Sequence, residues 1–99
     1  MLNVDKDLQG DTLTVSLDGR LDTTTSPDFE AELKSNLEGV KNLVFDFEKL
    51  EYISSAGLRV MLSAQKIMNK QGEMSIKNAS DDVLEVFEIT GFIDIINIQ

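Results

Sequence analysis

The chain contains no histidine and no cysteine. Without an imidazole it lacks the commonest general base and the commonest metal ligand, so Ser-His hydrolysis and most zinc chemistry are excluded. Without thiols there is no disulfide framework and no thiolate metal site. No apolar run approaches the roughly 20 residues of a membrane-spanning helix. The opening MLNVDKDLQG alternates polar and apolar residues where a targeting peptide would place a basic stretch before an apolar core. A soluble, unprocessed, cytoplasmic protein with no metal and no cofactor is therefore expected. Basic residues are also scarce, 9 against 18 acidic ones, and the formal net charge of −9 opposes nucleic acid and anionic membrane surfaces. Proteins are the expected partners, although the same charge would serve solubility alone.

What remains is 99 residues with 41% hydrophobic content, enough for one domain over residues 1–99 that buries roughly 60–70% of its unfolded surface. The stretch from Leu43 to Met68 organises it. Leu43, Val44, Phe45 and Phe47 form an apolar run broken only by Asp46, which reads as a central strand covered on both faces. Glu48-Lys49 reads as a polar turn. Then Leu50, Tyr52 and Ile53 lead into Ser54-Ser55-Ala56-Gly57, where an apolar pattern at helical spacing begins. Two adjacent hydroxyls thus fall at a helix N-terminus, where backbone N–H groups lack intrahelical partners and the helix dipole favours negative charge. Either serine could be a simple N-cap. Alternatively the pair, with the small Ala56 and Gly57 beside it, could admit a phosphate or a partner close to the backbone.

Around this stretch, Leu2, Val4 and Leu8 suggest a first strand, Gln9-Gly10-Asp11 a turn, and Thr12–Leu17 a half-buried second strand of a hairpin, by strict alternation. The hydroxyl-rich, charged segment from Asp18 to Thr25 reads as a loop of the kind that carries function. Ser26-Pro27-Asp28 opens a helix with Ser26 as cap, Phe29, Leu33 and Leu37 as its packed stripe and Gly39 at its end. The second helix carries a wide apolar arc, read as mostly buried, with Arg59, Ser63, Lys66 and Lys70 as its polar stripe, and stops at Gln71-Gly72. Met74–Lys77 reads as a strand, Ser80-Asp81-Asp82 as the start of a third helix closing near Gly91, and Phe92–Ile98 as a last strand or docked tail. The order is β-β-α-β-α-β-α-β, an α/β fold with a mostly parallel central sheet and an antiparallel first strand. In such a sheet the loops Asp18–Thr25 and Glu51–Gly57 leave the carboxyl ends of neighbouring strands, so Asp22 and Ser55 should share one surface.

Three pieces, VSLDGRLDTTTSPDFEAEL, FDFEKLEYISSAGLRVML and NASDDVLEVFEITGFIDII, resemble the STAS domain over essentially the whole chain, and in particular the stand-alone anti-sigma-factor antagonists of bacteria. The resemblance implies a STAS-like fold and a protein without catalytic activity of its own. Such a protein binds an anti-sigma factor with serine kinase activity, releases the sigma factor, and is switched off by serine phosphorylation that a serine phosphatase reverses. Aligning Gly57 with the family glycine makes Ser55 the acceptor and puts Asp22 on the family's acidic residue in the earlier loop. The family pattern is Asp-Ser-Ser/Thr-Gly and this chain reads Ser54-Ser55-Ala56-Gly57, which makes Ser54 a rival acceptor. The implied partner surface comprises Asp22, Thr23, Thr24, Ser54, Ser55, Ala56, Gly57, Leu58 and Arg59. A STAS interaction module of another system, a stressosome-like assembly or the small subunit of a lipid transporter, is the alternative. An enzyme using Ser55 as nucleophile is disfavoured, since there is no imidazole base, no G-x-S-x-G, no Walker loop and no G-x-G-x-x-G.

Overall fold

A computed structural model describes residues 2–99, with Met1 outside the described residues. In chain order the elements are β1 (Leu2–Gln9), β2 (Thr12–Leu21), α1 (Ser26–Ser35), β3 (Asn42–Ile53), α2 (Ser55–Gln71), β4 (Glu73–Lys77), α3 (Asp81–Thr90), a 3-10 turn (Phe92–Asp94) and β5 (Asn97–Ile98). The expected order holds. β1 is antiparallel to β2 across the turn at Gly10, whose φ of +64° suits glycine, and β2, β3, β4 and β5 are parallel.

The spatial order β1-β2-β3-β4-β5 repeats the chain order without reversal, and this corrects one expectation. Right-handed crossovers that always step in the same direction leave every helix on the same face of the sheet. Phe45 of β3 therefore meets Phe29 of α1 edge-on at 6.4 Å between ring centroids, while Phe47 stacks on Phe87 of α3 at 6.5 Å. Leu13, Val15, Leu17, Leu43, Phe45, Phe47, Met74 and Ile76 are buried under the helices, together with Met61, Ala64 and Met68 of α2. The alternate positions Thr14, Ser16, Val44, Asp46, Ser75 and Lys77 are only half-buried. β3 is central but covered on one face, and no strand-order reversal opens a crevice.

β2 and β3 also run further than the sequence suggests. Asp18–Leu21 continues β2, and Glu48-Lys49 is no turn. The register passes from Ser16↔Asp46 to Asp18↔Lys49 and from Gly19↔Leu50 to Arg20↔Tyr52, so β3 carries one extra residue at each step. These bulges re-aim the pleat, turning Leu50 and Ile53 inward at a spacing of three instead of two. At the start of α1 the N-cap is Thr25, while Ser26 is the first helical residue, buried, with its hydroxyl unpartnered among the described residues. Ser26 therefore does not cap. α1 ends at Ser35, ahead of Gly39, which bends the following connection at φ +80°.

Candidate functional site

The site lies where β2 and β3 end side by side. The Ser54 N–H donates to the Leu21 carbonyl at 2.9 Å, tying the step from β3 into α2 to the residue just before Asp22. The two polar segments thus meet at the carboxyl edge of the sheet, with the loop between β3 and α2 reduced to Ser54 alone.

The two serines divide the roles that the sequence left open. Ser54, in an extended conformation, is the N-cap of α2: its Oγ accepts the Gly57 N–H at 3.4 Å, and its carbonyl accepts the Leu58 N–H at 2.9 Å. Ser55 is the first helical residue, exposed, and its hydroxyl makes no hydrogen bond among the described residues. Ala56 is half-buried, and Arg59 is exposed one turn after Ser55, on the same side of α2.

Gly57 and Leu58 are placed differently from the expectation. Both are buried. A Cβ on Gly57 would sit 2.8 Å from Ile53 Cγ1, 2.9 Å from Leu21 Cγ and 3.0 Å from the Leu21 carbonyl oxygen. The missing side chain therefore lets α2 start tightly against β2 and β3, and the space it leaves is filled by Leu21 and Ile53 and is not open to an incoming anion. Leu58 points into the core, so its side chain supports the surface from beneath and is not part of it.

Asp22 orders its own loop. Its Oδ1 accepts the N–H groups of Thr24 and Thr25, both at 3.0 Å. The Thr25 hydroxyl accepts the Asp22 N–H at 2.9 Å and directs its single proton toward the Arg20 carbonyl or the Asp22 carboxylate. The Thr25 N–H, reinforced by the Thr24 N–H and the Thr25 hydroxyl, holds the Asp22 carboxyl below its ordinary range against the partial burial that pushes it up. Thr23 and Thr24 are exposed at the tip.

Two residues absent from the sequence expectation belong here. The Arg20 guanidinium lies 4.4 Å from the centroid of the Tyr52 ring, and its Nε is 4.0 Å from Asp22 Oδ2. Tyr52 is 41% exposed, an aromatic face with a cation laid over it. Arg20 and Tyr52 pair across the strands only because of the bulges in β3, so sequence spacing alone carried no signal for them. Among the described residues no group of acidic side chains is arranged to hold a metal, and no helix is long and apolar enough to cross a membrane.

The architecture has clear relatives. The family model for the STAS domain matches residues 3–99. BtrV, a candidate anti-sigma factor antagonist of Bordetella bronchiseptica, is 40% identical over 85 residues, covering 84% of this chain and 73% of that protein. The anti-sigma-B factor antagonist of Bacillus subtilis is 30% identical, covering 99% of this chain and 91% of its own. SpoIIAA, a Bacillus cell fate determinant solved in its phosphorylated form, superposes with a TM-score of 0.77 at 19% identity, over 98% of this chain and 91% of that one. This last likeness concerns the fold.

Proposed function

The chain belongs to the STAS-domain family, and from that premise we propose that it acts as an anti-sigma-factor antagonist without catalytic activity of its own. Unmodified, the surface of Asp22, Thr23, Thr24, Ser55, Ala56 and Arg59, with the Arg20–Tyr52 pair at its margin, docks on an anti-sigma factor that carries serine kinase activity, and the sigma factor is released. Phosphate on Ser55 ends the docking, and a serine phosphatase restores it. The observation that carries this reading is the division of labour at α2: Ser54 is occupied as the cap, which leaves Ser55 exposed and unbonded. The names of the relatives support the antagonist role.

The physics of the position favours a switch. A phosphate at the first residue of a helix meets free N–H groups and the positive end of the dipole, so the fold tolerates it. The same group brings about −1.5 to −2 charges and three acceptor oxygens into a surface that a partner must cover. Stability and binding should therefore respond separately.

The test combines pull-down from the native cell, phosphopeptide mapping and three variants. Ser55→Asp should melt within about 1 kcal/mol of the wild type yet bind the kinase at least tenfold more weakly, a change of about 1.4 kcal/mol. Ser55→Ala should lose phosphorylation and keep binding. Ser54→Ala should lose about 0.5–1 kcal/mol of stability, at the low end for a cap because its bond is long. Phosphate mapped to Ser54, or Ser55→Asp bound as tightly as wild type, would overturn the assignment. Recovery of a transporter or a stressosome-like complex in place of a kinase would move the module to another system.

A further inference from the structure

β3 outruns its neighbour on the α3 side. β4 stops at Lys77, opposite Asp46, so Phe47–Ile53 continue alongside β2 alone. A slot of about 270 Å³ lies between the end of β3 and the first half of α3, lined by Glu51, Tyr52, Ile53, Asp82, Val83 and Val86. It opens at the Ser55 end of the molecule, since Glu51–Ile53 immediately precede Ser54 and Tyr52 also carries the Arg20 guanidinium. Buried Ile53 and Val83 and half-buried Val86 give it an apolar floor, and the exposed Glu51 and Asp82 give it a rim of two carboxylates on different elements. α3 is capped by Ser80, whose Oγ accepts the Val83 N–H at 3.2 Å, so Asp82 is not spent as the cap. Neither carboxylate is in an ion pair among the described residues. The nearby charges are placed otherwise. Arg20 lies over Tyr52 beside Asp22, and Lys49 lines a separate hollow on the open sheet face with Asp18 and Asp46. Arg59, Lys77, Asp81 and Glu85 do not line the slot, and Lys66 and Lys70 lie toward the far end of α2.

We propose that this slot extends the Ser55 docking surface and receives one basic side chain of the partner protein. Its volume falls below the roughly 300–1,000 Å³ of small-molecule sites, which suits a single side chain better than a free ligand. A basic side chain matches both parts of the slot. Its aliphatic stem covers Ile53, Val83 and Val86 while its charged head reaches Glu51 and Asp82. An acidic side chain would meet two like charges, and a wholly apolar one would strip water from both carboxylates without replacing it. A cation there relieves the repulsion between Glu51 and Asp82 and fixes the orientation in which the partner lies on the Ser55 edge. As part of a docking surface the slot rests on the antagonist reading above, whereas its preference for a basic side chain does not.

Titrating the intact protein with acetyl-arginine amide and with its uncharged analogue acetyl-citrulline amide, while following backbone amide resonances, tests the preference without any kinase. The arginine probe should shift residues 51–53 and 82–86 first and bind roughly fivefold more tightly than citrulline, the size of an ion pair at a partly exposed site. Glu51→Gln/Asp82→Asn should remove that difference and keep a well-dispersed spectrum. Asp81→Asn/Glu85→Gln, which removes two charges of α3 outside the slot, should retain it. Equal losses in the two double variants, or arginine shifts spread equally over Asp5 and Asp7, would reduce the effect to net charge and overturn the proposal. The partner recovered by pull-down should bind Glu51→Gln/Asp82→Asn roughly tenfold more weakly although Ser55 is untouched. Unchanged partner affinity in that variant would overturn the slot's part in docking and leave the Ser55 assignment standing. Arginine selectivity together with a Ser55→Asp protein that binds as wild type would instead overturn the Ser55 assignment and support the slot. Self-association abolished by Glu51→Gln/Asp82→Asn would identify a second copy as the occupant and overturn the proposal.

Discussion

At the scale of single residues the site is decided by small differences in hydrogen bonding. Ser54 and Ser55 are identical in chemistry and adjacent, yet one is spent on Gly57 N–H and the other is free. Asp22 is the loop cap that its surroundings make it, and its titration follows from that. Its lowered folded pKa means that the charged form is favoured in the native state, so the associated stability is fully present above the unfolded value of about 3.9. It is lost as pH falls through the lower folded value. Asp22→Asn keeps an acceptor oxygen and drops the charge. Thermal melts from neutral pH down to about pH 3 should therefore show wild type losing its advantage over Asp22→Asn below about pH 4. A constant difference across that range would remove the charge from the account.

At the scale of elements, β3 carries most of the architecture. Phe45 is fully buried between Phe29 and Phe47, and Phe47 continues the aromatic contact to Phe87. Phe45→Ala should cost about 3–5 kcal/mol in denaturant melts, because the cavity lies where α1 and the sheet cannot close over it. A loss below about 1 kcal/mol would contradict that packing. The same strand shows how much of the element was legible. The run Leu43–Phe47 announced a strand, but the polar Glu48-Lys49 looked like its end. The inward spacing Phe47, Leu50, Ile53 was the available sign that the strand continues through bulges, and a period of three fits neither a regular strand nor a helix. Arg20 and Tyr52 were illegible for the same reason, since their pairing depends on a register that the bulges shift twice.

At the scale of the whole molecule, the charge of −9 should act on encounter rates more than on the fold. Association with a positively charged partner should slow as ionic strength rises to about 0.15 M, where screening reaches about 8 Å. Stopped-flow rates independent of salt would show that charge does not steer the encounter. The amino-acid sequence by itself determined the element order, the antiparallel hairpin, the starts of α2 and α3 and the presence of two polar segments at the carboxyl ends of β2 and β3. These rest on periodicity, caps and turn residues within a few positions of each other. It also limited the chemistry, because a chain without histidine or cysteine cannot assemble the commonest nucleophile and metal sites. Tertiary structure alone decided which serine is free, that Gly57 and Leu58 lie beneath the surface, and that Arg20 stacks on Tyr52. It decided as well that one face of the sheet stays open and that Glu51 and Asp82 line one slot. The choice between the serines rests on the cap bond from Gly57 N–H to Ser54, whereas the others depend on strand order and register, which bring together residues distant in the chain, and no local pattern encodes which side chains a distant strand will cover.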